Sequence, residues 1–477
     1  MSSAFDLIVI GAGPAGGAAA LAAAHQGLSV ALIDESGAAG GQVYCAPAAA
    51  LEIPLAKQDD DFRAGEELRV ALAASTVQHY FGRRVWAVTP DFRVETVYET
   101  GPQAFVAPRV IAATGAYERI VPFAGWSLPG VIGLAAATIL LKSQGMVPGR
   151  RVVVAGCGPL LASVAAKIVA VGGEIAAVVD LARPSDWLKA APGLMRRPRL
   201  LRRGLGWALD IGRARVPVYF GHGVRKAEGS ARVDSVVIGR VDRTGVPAGG
   251  ADTSFDVDVL VVGHGLVPGA EVPRLLRADM SFDRLRGGWV PVVNGYGRTS
   301  IPGLFAVGDG AGIRGAEPAA LAGEIAGLTV AHACGQMLHT HYLEAVRPLE
   351  RQLASYRAFA DGVASLMALR PAQVAAIAPD TIVCRCEDVT RGTIDLAARD
   401  GASDVNQLKH FTRCGMGPCQ GRMCGDVAAE LLAQARGASR EAVGCWTGRP
   451  PLRPVPIEDL IGTFSYDDIP VPKPAPL

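Results

Sequence analysis

Phe5-Asp-Leu-Ile-Val-Ile10-Gly11-Ala-Gly13-Pro14-Ala15-Gly16 decides the fold of this chain. The apolar run up to Ile10 predicts a parallel strand buried on both faces. The glycines follow it directly. Gly11 permits a tight turn, Gly13 lets backbone approach a pyrophosphate, and Gly16 allows close packing of helix on strand. The Ala-rich segment from Pro14 to about Gln26 predicts a helix whose first N–H groups point at phosphates, and Gly27 ends it. Leu28 to Ile33 reads as a second strand with Asp34 and Glu35 at its end. Asp34 lies about twenty residues past the glycines, where an acid binds ribose hydroxyls. Three glycines alone also arise as chance packing; strand, turn, helix, strand and acid in this order predict a dinucleotide fold.

Further stretches extend the pattern. Gly40-Gly41-Gln42 follows the acid and, by itself, is a glycine turn. Val110-Ile-Ala-Ala113-Thr114-Gly115 is a strand ending in Ala-Thr-Gly. Thr299-Ser-Ile-Pro-Gly-Leu-Phe-Ala-Val-Gly308-Asp309 is a late strand running into Gly-Asp. In this order and spacing they resemble the glutathione-reductase-like FAD superfamily over roughly residues 1–340. The resemblance implies that the glycine pair lets the chain pass close to FAD and that Asp309 meets the flavin ribityl chain. It also implies a discontinuous first domain, residues 1–120 with 285–340, holding FAD or a plain ADP or ATP in the same site.

A second unit, residues 121–284, repeats the logic. Arg151-Val-Val-Val-Ala155 is a buried strand, followed by Gly156-Cys-Gly158-Pro-Leu-Leu161, with Leu161 in place of the third glycine. The next strand, Glu174 to Val179, ends in Asp180, an acid that favours NADH over NADPH if a nicotinamide cofactor binds. Gly156, Gly158 and Asp180 form either a working NAD(H) or adenine-nucleotide site or a fold kept for structure. Phe255 to Gly265 closes this domain. Arg196, Arg197, Arg199, Arg202 and Arg203, interleaved with Leu, Trp and Gly, predict a helical excursion with a basic face; a solvated or interface face and a phosphate contact are its two readings. His264 either faces a flavin or fills a turn. Cys45, Cys157 and Cys334 are isolated, which argues against a dithiol redox mechanism.

With 477 residues the chain is long enough for about three domains. A net charge of +2 gives no electrostatic case for nucleic acid. Leu7 to Ala24 carries no charged residue, yet its glycines and proline and the absence of a basic leader read as strand, turn and helix rather than a membrane span. No other segment looks transmembrane. Nine cysteines, five of them in one window, do not form a secreted disulfide framework. Thiolate ligands need a reducing compartment, so the expected location is the cytoplasm.

That window is Cys384-Arg-Cys386, then about thirty residues, then Cys414-Gly-Met-Gly-Pro-Cys419-Gln-Gly-Arg-Met-Cys424. Four soft thiolates suit tetrahedral zinc or an iron–sulfur cluster, and buried unliganded thiols are the plain reading. Cys-x-Cys is tight for a zinc knuckle, and the glycines let N–H groups approach sulfur. A helical linker is expected over 341–379, a cysteine domain over 380–440 and an extended, proline-rich tail over 441–477. Asp388 or Thr390 is the expected cap of a helix running to about Asp400.

The window resembles the bacterioferritin-associated-ferredoxin type of [2Fe–2S] domain, which implies Cys384, Cys386, Cys419 and Cys424 as ligands, with Cys414 as a spare able to replace Cys419. The block Ala113-Thr-Gly-Ala-Tyr-Glu-Arg-Ile-Val-Pro-Phe-Ala-Gly-Trp126-Ser-Leu-Pro-Gly-Val131 and both cysteine stretches resemble the large subunit of heteromeric FAD-dependent amino-acid dehydrogenases. That group includes the large chains of opine oxidase and hydrogen cyanide synthase, the alpha chains of dye-linked proline and hydroxyproline dehydrogenases and, through the cysteines, the alpha chain of sarcosine oxidase. The resemblance implies an α/β fold of two Rossmann-like domains of glutathione-reductase type, the second inserted in the first, plus a small helical [2Fe–2S] domain. It further implies an electron-transfer alpha chain, an FAD-containing beta chain of the D-amino-acid-oxidase-like type that oxidises the carbon–nitrogen bond, a small ferredoxin-like gamma chain, and an interfacial FMN. A self-sufficient NAD(P)H-dependent flavoprotein reductase and a non-catalytic nucleotide-binding scaffold are the rival readings.

Overall fold

The computed structural model describes residues 3–48 and 59–461. Two parallel five-stranded sheets organise them. The first runs in the order Leu304–Ala306, Val110–Ala112, Leu7–Ile10, Val30–Ile33, Gln78–Tyr80. Leu7 pairs with Val30 and Ile8 with Val110. Leu7–Ile10 and Val30–Ile33 are buried at every position, which is why they read as continuous apolar runs. The second sheet runs Val131–Gly133, Val259–Gly263, Arg151–Gly156, Glu174–Asp180, Val218–Phe220. The edge strand Leu304–Ala306 joins the first sheet only after the second is complete.

In chain order the helices are α1 (Pro14–His25), α2 (Asp60–Ala73), α3 (Leu134–Ser143), α4 (Pro159–Ala170), α5 (Pro184–Leu194), α6 (Pro198–Arg213) and α7 (Glu271–Leu275). They continue as α8 (Ala316–Ala333), α9 (His339–Met367), α10 (Pro371–Ala375), α11 (Arg391–Arg399), α12 (Val405–Thr412) and α13 (Gly425–Arg436). Small residues in α1 and α8 serve a close crossing. A Cβ on Gly323 would lie 1.9 Å from Ala15 O, and one on Gly327 2.3 Å from Ala19 O. Among the described residues no helix is long and apolar enough to cross a membrane.

The C-terminal unit opens with a hairpin, Ile382–Cys384 against Val389–Thr390. Helices α11 to α13 then enclose Ile394, Leu408, Val427 and Leu431. Thr390, not Asp388, caps α11: its Oγ1 accepts from Thr393 N at 3.2 Å. Buried ion pairs hold this unit to the rest. Arg119 Nε donates to Asp426 Oδ2 at 2.7 Å and Arg284 pairs with Glu430 at 3.2 Å, while Arg440 braces Asp426 and Glu430 from within the unit. The chain after Gly444 returns over its own first fold, where Leu452 N donates to Trp86 O at 2.6 Å and the Leu452 side chain is buried. The expected tail is thus a strap on this chain as far as the short helix Ile457–Ile461; residues 462–477 lie outside the described ones.

Candidate functional site: a nucleotide cavity and a thiol cluster

One cavity of about 1350 Å³ runs between the two nucleotide folds. Gly11, Gly13, Pro14 and Ala15 line it from the first glycine turn, Asp34, Glu35, Gly41 and Gln42 from the region after the second strand. Ala113, Thr114 and Gly115 line it from the third strand's end, and Gly308 and Asp309 from the last. Gly158 and Asp180 face the same space from the second fold. Gly16 and Gly156 do not line it. A Cβ on Gly16 would stand 1.7 Å from Gly11 O, and one on Gly156 1.9 Å from Gly263 O. Both are packing glycines.

The two folds differ at their second glycine. A Cβ on Gly13 would meet nothing nearer than Gly41 Cα at 3.8 Å. That open side is where a pyrophosphate approaches, and Gly41 lies against Gly13 to form the cradle's wall. A Cβ on Gly158 would fall 2.4 Å from Met367 Cγ and 2.8 Å from Met367 Sδ. The end of α9 therefore covers the second turn.

The acids differ too. Asp34 Oδ2 accepts from Ala12 N at 2.5 Å and Oδ1 from Ser36 N at 2.7 Å, so it stiffens the glycine turn. Desolvation raises its pKa despite these bonds. Glu35 is exposed to the cavity and pairs with Arg453 at 3.4 Å. Asp180 is buried, with Oδ1 accepting from Ala182 N at 2.8 Å and Oδ2 from Trp187 Nε1 at 2.9 Å. Burial pushes its pKa up to about 6. Asp309 Oδ1 accepts from Arg314 N and Gly315 N at 2.8 and 3.0 Å, which fixes the loop leading into α8. Thr114 Oγ1 donates to Gly269 O. His264 is absent from the cavity wall; its Nδ1 accepts from Val121 N at 3.1 Å, and burial lowers its pKa to about 3. It fills a turn.

At the other centre the Sγ atoms of Cys384, Cys414 and Cys424 all lie within 4.8 Å of one another. Cys386 and Cys419 face each other beside them. Hydrogen bonds from Cys414 and Cys424 lower the Cys384 pKa, while Cys414 and Cys424 are raised, first by their bond to Cys384. Three thiols this close ionise together only around a cation, so the donor set fits a soft metal or cluster. Two of the four cysteines implied by the ferredoxin resemblance lie in the group of three, the other two in the adjoining pair, and Cys414 joins them. The glycines of this loop have a second purpose. Cβ atoms on Gly415, Gly421 and Gly425 would lie 3.1, 2.7 and 2.5 Å from the Trp446 indole. Their absence lets that ring cover the loop.

Sequence reasoning missed four participants: Trp446, Met367, Arg422 and Arg453. Arg422, between Cys419 and Cys424, donates to Glu271 Oε1 at 2.8 Å and to Leu452 O at 2.6 Å, and with Arg453 lines the cavity. It joins the thiol loop to the nucleotide site. Nothing local marks these residues; the glycine spacing at 415, 421 and 425 was the only clue to a covering ring.

Comparison with known proteins places this geometry. Residues 5–335 match the family described as pyridine nucleotide-disulphide oxidoreductase, and residues 378–463 match the sarcosine oxidase A3 domain. The chain is 34% identical to the A-type subunit of opine oxidase from Agrobacterium tumefaciens (strain Ach5), covering 96% of this chain and 92% of that one. It is 32% identical to the HcnB subunit of hydrogen cyanide synthase from Pseudomonas protegens, covering 94% and 96%. The crystal structure of L-proline dehydrogenase from P. horikoshii shares the fold, with a TM-score of 0.71 at 21% identity over 96% of this chain and 80% of that one. The chain is an oxidoreductase of the pyridine nucleotide-disulphide oxidoreductase family, of glutathione-reductase type, and belongs with the A-type subunit of opine oxidase and the HcnB subunit of hydrogen cyanide synthase.

Proposed function

We propose that this chain is the electron-transfer alpha chain of a heteromeric flavin and iron–sulfur dehydrogenase acting on the carbon–nitrogen bond of an amino acid or opine. The observation that carries it is the pairing of a three-thiol cluster and its adjoining cysteine pair with an open first nucleotide site in one chain, joined by Arg422. The family implies FAD in the first site. Gly13 and Gly41 leave room for its pyrophosphate, Asp34 and Glu35 line the cavity at the ribose position, and Asp309 fixes the loop beside the ribityl chain. An ADP or ATP fits the same cradle. When bound, flavin supplies two-electron chemistry and a [2Fe–2S] cluster one-electron steps.

This chain's residues hold and shield these groups. Cys384, Cys386, Cys419 and Cys424 are the proposed cluster ligands, with Cys414 the fifth thiol beside them. Trp446 keeps water from the loop. Among the described residues the cavity lining offers no dithiol. That suits a chain that passes electrons while an FAD-containing beta chain of the D-amino-acid-oxidase-like type oxidises the substrate. A ferredoxin-like gamma chain and an interfacial FMN complete the assembly.

The test is a cofactor inventory of the anaerobically purified chain, alone and co-expressed with its neighbouring gene products. The expected result is two irons and two sulfides per chain, with a second flavin and dye-linked amino-acid oxidation appearing only with the partner. Zinc in place of iron overturns the cluster. Flavin on the lone chain bleached by NADH establishes a reductase instead, and a colourless nucleotide without redox activity a scaffold.

A further inference from the structure

We infer that the part of the cavity walled by α6 and α9 binds an apolar, planar acceptor of the quinone class in place of a nicotinamide nucleotide. The inference rests on the electron-transfer reading above and names its acceptor.

The nicotinamide route is obstructed at two places. Met367 occupies the side of Gly158 that a pyrophosphate must approach, whereas the matching side of Gly13 is open. Asp180 accepts from Ala182 N and Trp187 Nε1 and is 3% exposed, whereas Asp34 in the first fold is only half-buried, so little of the Asp180 carboxylate faces a ribose.

What remains is an aromatic and aliphatic slot. Leu200, Leu201 and Trp207 of α6 face it, as do Phe359 and Val363 of α9. Such walls suit a flat apolar ring that stacks and needs few polar contacts. The slot is continuous with the space at Thr114 and Asp309. At the cavity edge Leu205 is 56% and Phe220 46% exposed, and both line it. Exposed Arg199 and Arg202 flank Leu205 on the same helix. A basic amphipathic helix with leucines left uncovered suits uptake of a ligand that resides in lipid. The chemistry balances: oxidation of CH–NH to C=N on the partner releases two electrons and two protons, and a quinone takes both to become the quinol.

The experiment uses the assembled complex and two probes, menadione and decyl-ubiquinone, read by tryptophan fluorescence quenching without turnover. Trp187 and Trp207 both line the slot. A Cβ at Gly204, on the same wall, meets nothing within 4 Å, so Gly204→Phe fills the slot without strain in the helix. Saturable quenching is expected, weakened about tenfold or more in Gly204→Phe, a loss of at least one decade in affinity. Photolabelling of the wild-type complex with an azidoquinone is expected to mark peptides of α6 or α9, and this holds whatever the variant's folding. Labelling elsewhere, quenching unchanged by Gly204→Phe, or displacement of the quinone by NADH overturns the inference. Failure of the electron-transfer reading shows separately, as absence of dye-linked amine oxidation by the wild-type complex.

Discussion

The Met367 side chain stands where a Cβ on Gly158 would be, with its Cγ 2.4 Å from that point. A Cβ on Gly13 would make only ordinary contact, 3.8 Å from Gly41 Cα. The two glycine turns therefore respond differently to one methyl group. Gly13 has φ −70°, a conformation any residue adopts, so Gly13→Ala folds but projects its methyl into the cradle. The expected outcome is loss of bound nucleotide, read by mass after release, with little change in unfolding of the nucleotide-free chain. Gly158 has φ +81°, so Gly158→Ala is strained and crowded. A loss of roughly 1–3 kcal/mol with nucleotide content unchanged is expected. Equal nucleotide loss in both variants would show that the second turn also holds a nucleotide.

Asp426 joins the cysteine unit to the nucleotide folds at Arg119, where the chain passes from the first to the second. Its burial raises the pKa, but Arg119 and Arg440 outweigh that and hold the carboxylate below its ordinary range. Replacing it leaves two buried guanidinium groups short of a counter-charge, which costs about 3–5 kcal/mol. Asp426→Asn should lower the urea midpoint and flatten its fall at acid pH. The sign follows from the lowered pKa: the carboxylate's contribution is complete above the unfolded value near 3.8 and disappears as pH falls through the folded one. An unchanged midpoint at neutral pH counts against the latch.

Glu118 works in the opposite sense. Its oxygens accept from Leu134 N at 2.9 Å and Ala135 N at 3.1 Å at the start of α3. Burial nevertheless pushes its pKa up to about 8, from an unfolded value near 4.5. Between these values the folded chain holds a proton that the unfolded chain has released. Stability therefore falls as pH rises across that window, by up to about 1.4 kcal/mol per unit from this group. Glu118→Gln removes that contribution, so the variant's urea midpoints at pH 5.5, 6.5 and 7.5 should fall less steeply than the wild type's. Parallel slopes would show that Glu118 titrates normally.

These residues also mark what sequence reveals. Gly11, Gly13, Thr114 and Asp309 stand on the cavity wall, and Gly16 packs against Gly11, because a strand-to-turn junction imposes its demands on adjacent residues. Arg199, Arg202 and Arg203 lie on a helix as their amphipathic period predicts, because that period is local, while Arg196 and Arg197 precede its first turn. Met367 on Gly158 was not legible, since the covering side chain comes from a helix two hundred residues later. Asp180 illustrates the same gap. Its position past the glycines is that of a ribose ligand, but Trp187 arrives from the next helix and takes the carboxylate. The return of Leu452 to Trp86 of the first fold had no signal beyond its prolines.

Trp446 shields the cysteine loop by filling the places of three absent methyl groups. Trp446→Ala removes a large half-buried ring and opens the loop to water. The expected result is faster release of iron to a chelator, with Trp446→Phe intermediate. Gly425→Ala, whose Cβ would fall 2.5 Å from the indole Nε1, should mimic the alanine variant by displacing the ring. Equal release rates in all three and the wild type would sink the shielding argument.

The five thiols yield the sharpest division. Cys414 lies deep beside Cys384 and Cys424, while Cys386 and Cys419 adjoin them and are less buried. If Cys384, Cys386, Cys419 and Cys424 hold the cluster, Cys414 would be a fifth thiol within 4.8 Å of Cys384 and Cys424, near enough to alter the field without being a ligand. Cys419→Ser should then lose acid-labile sulfide and visible absorbance. Cys414→Ser should keep two irons and two sulfides, with a changed reduction potential because a neighbouring dipole and its hydrogen bond have gone. Serine preserves size at both positions, so a folding defect common to both would show as loss of secondary structure rather than of iron alone. If Cys414→Ser loses the cluster and Cys419→Ser retains it, the buried group of three supplies the ligands and Cys419 is the spare.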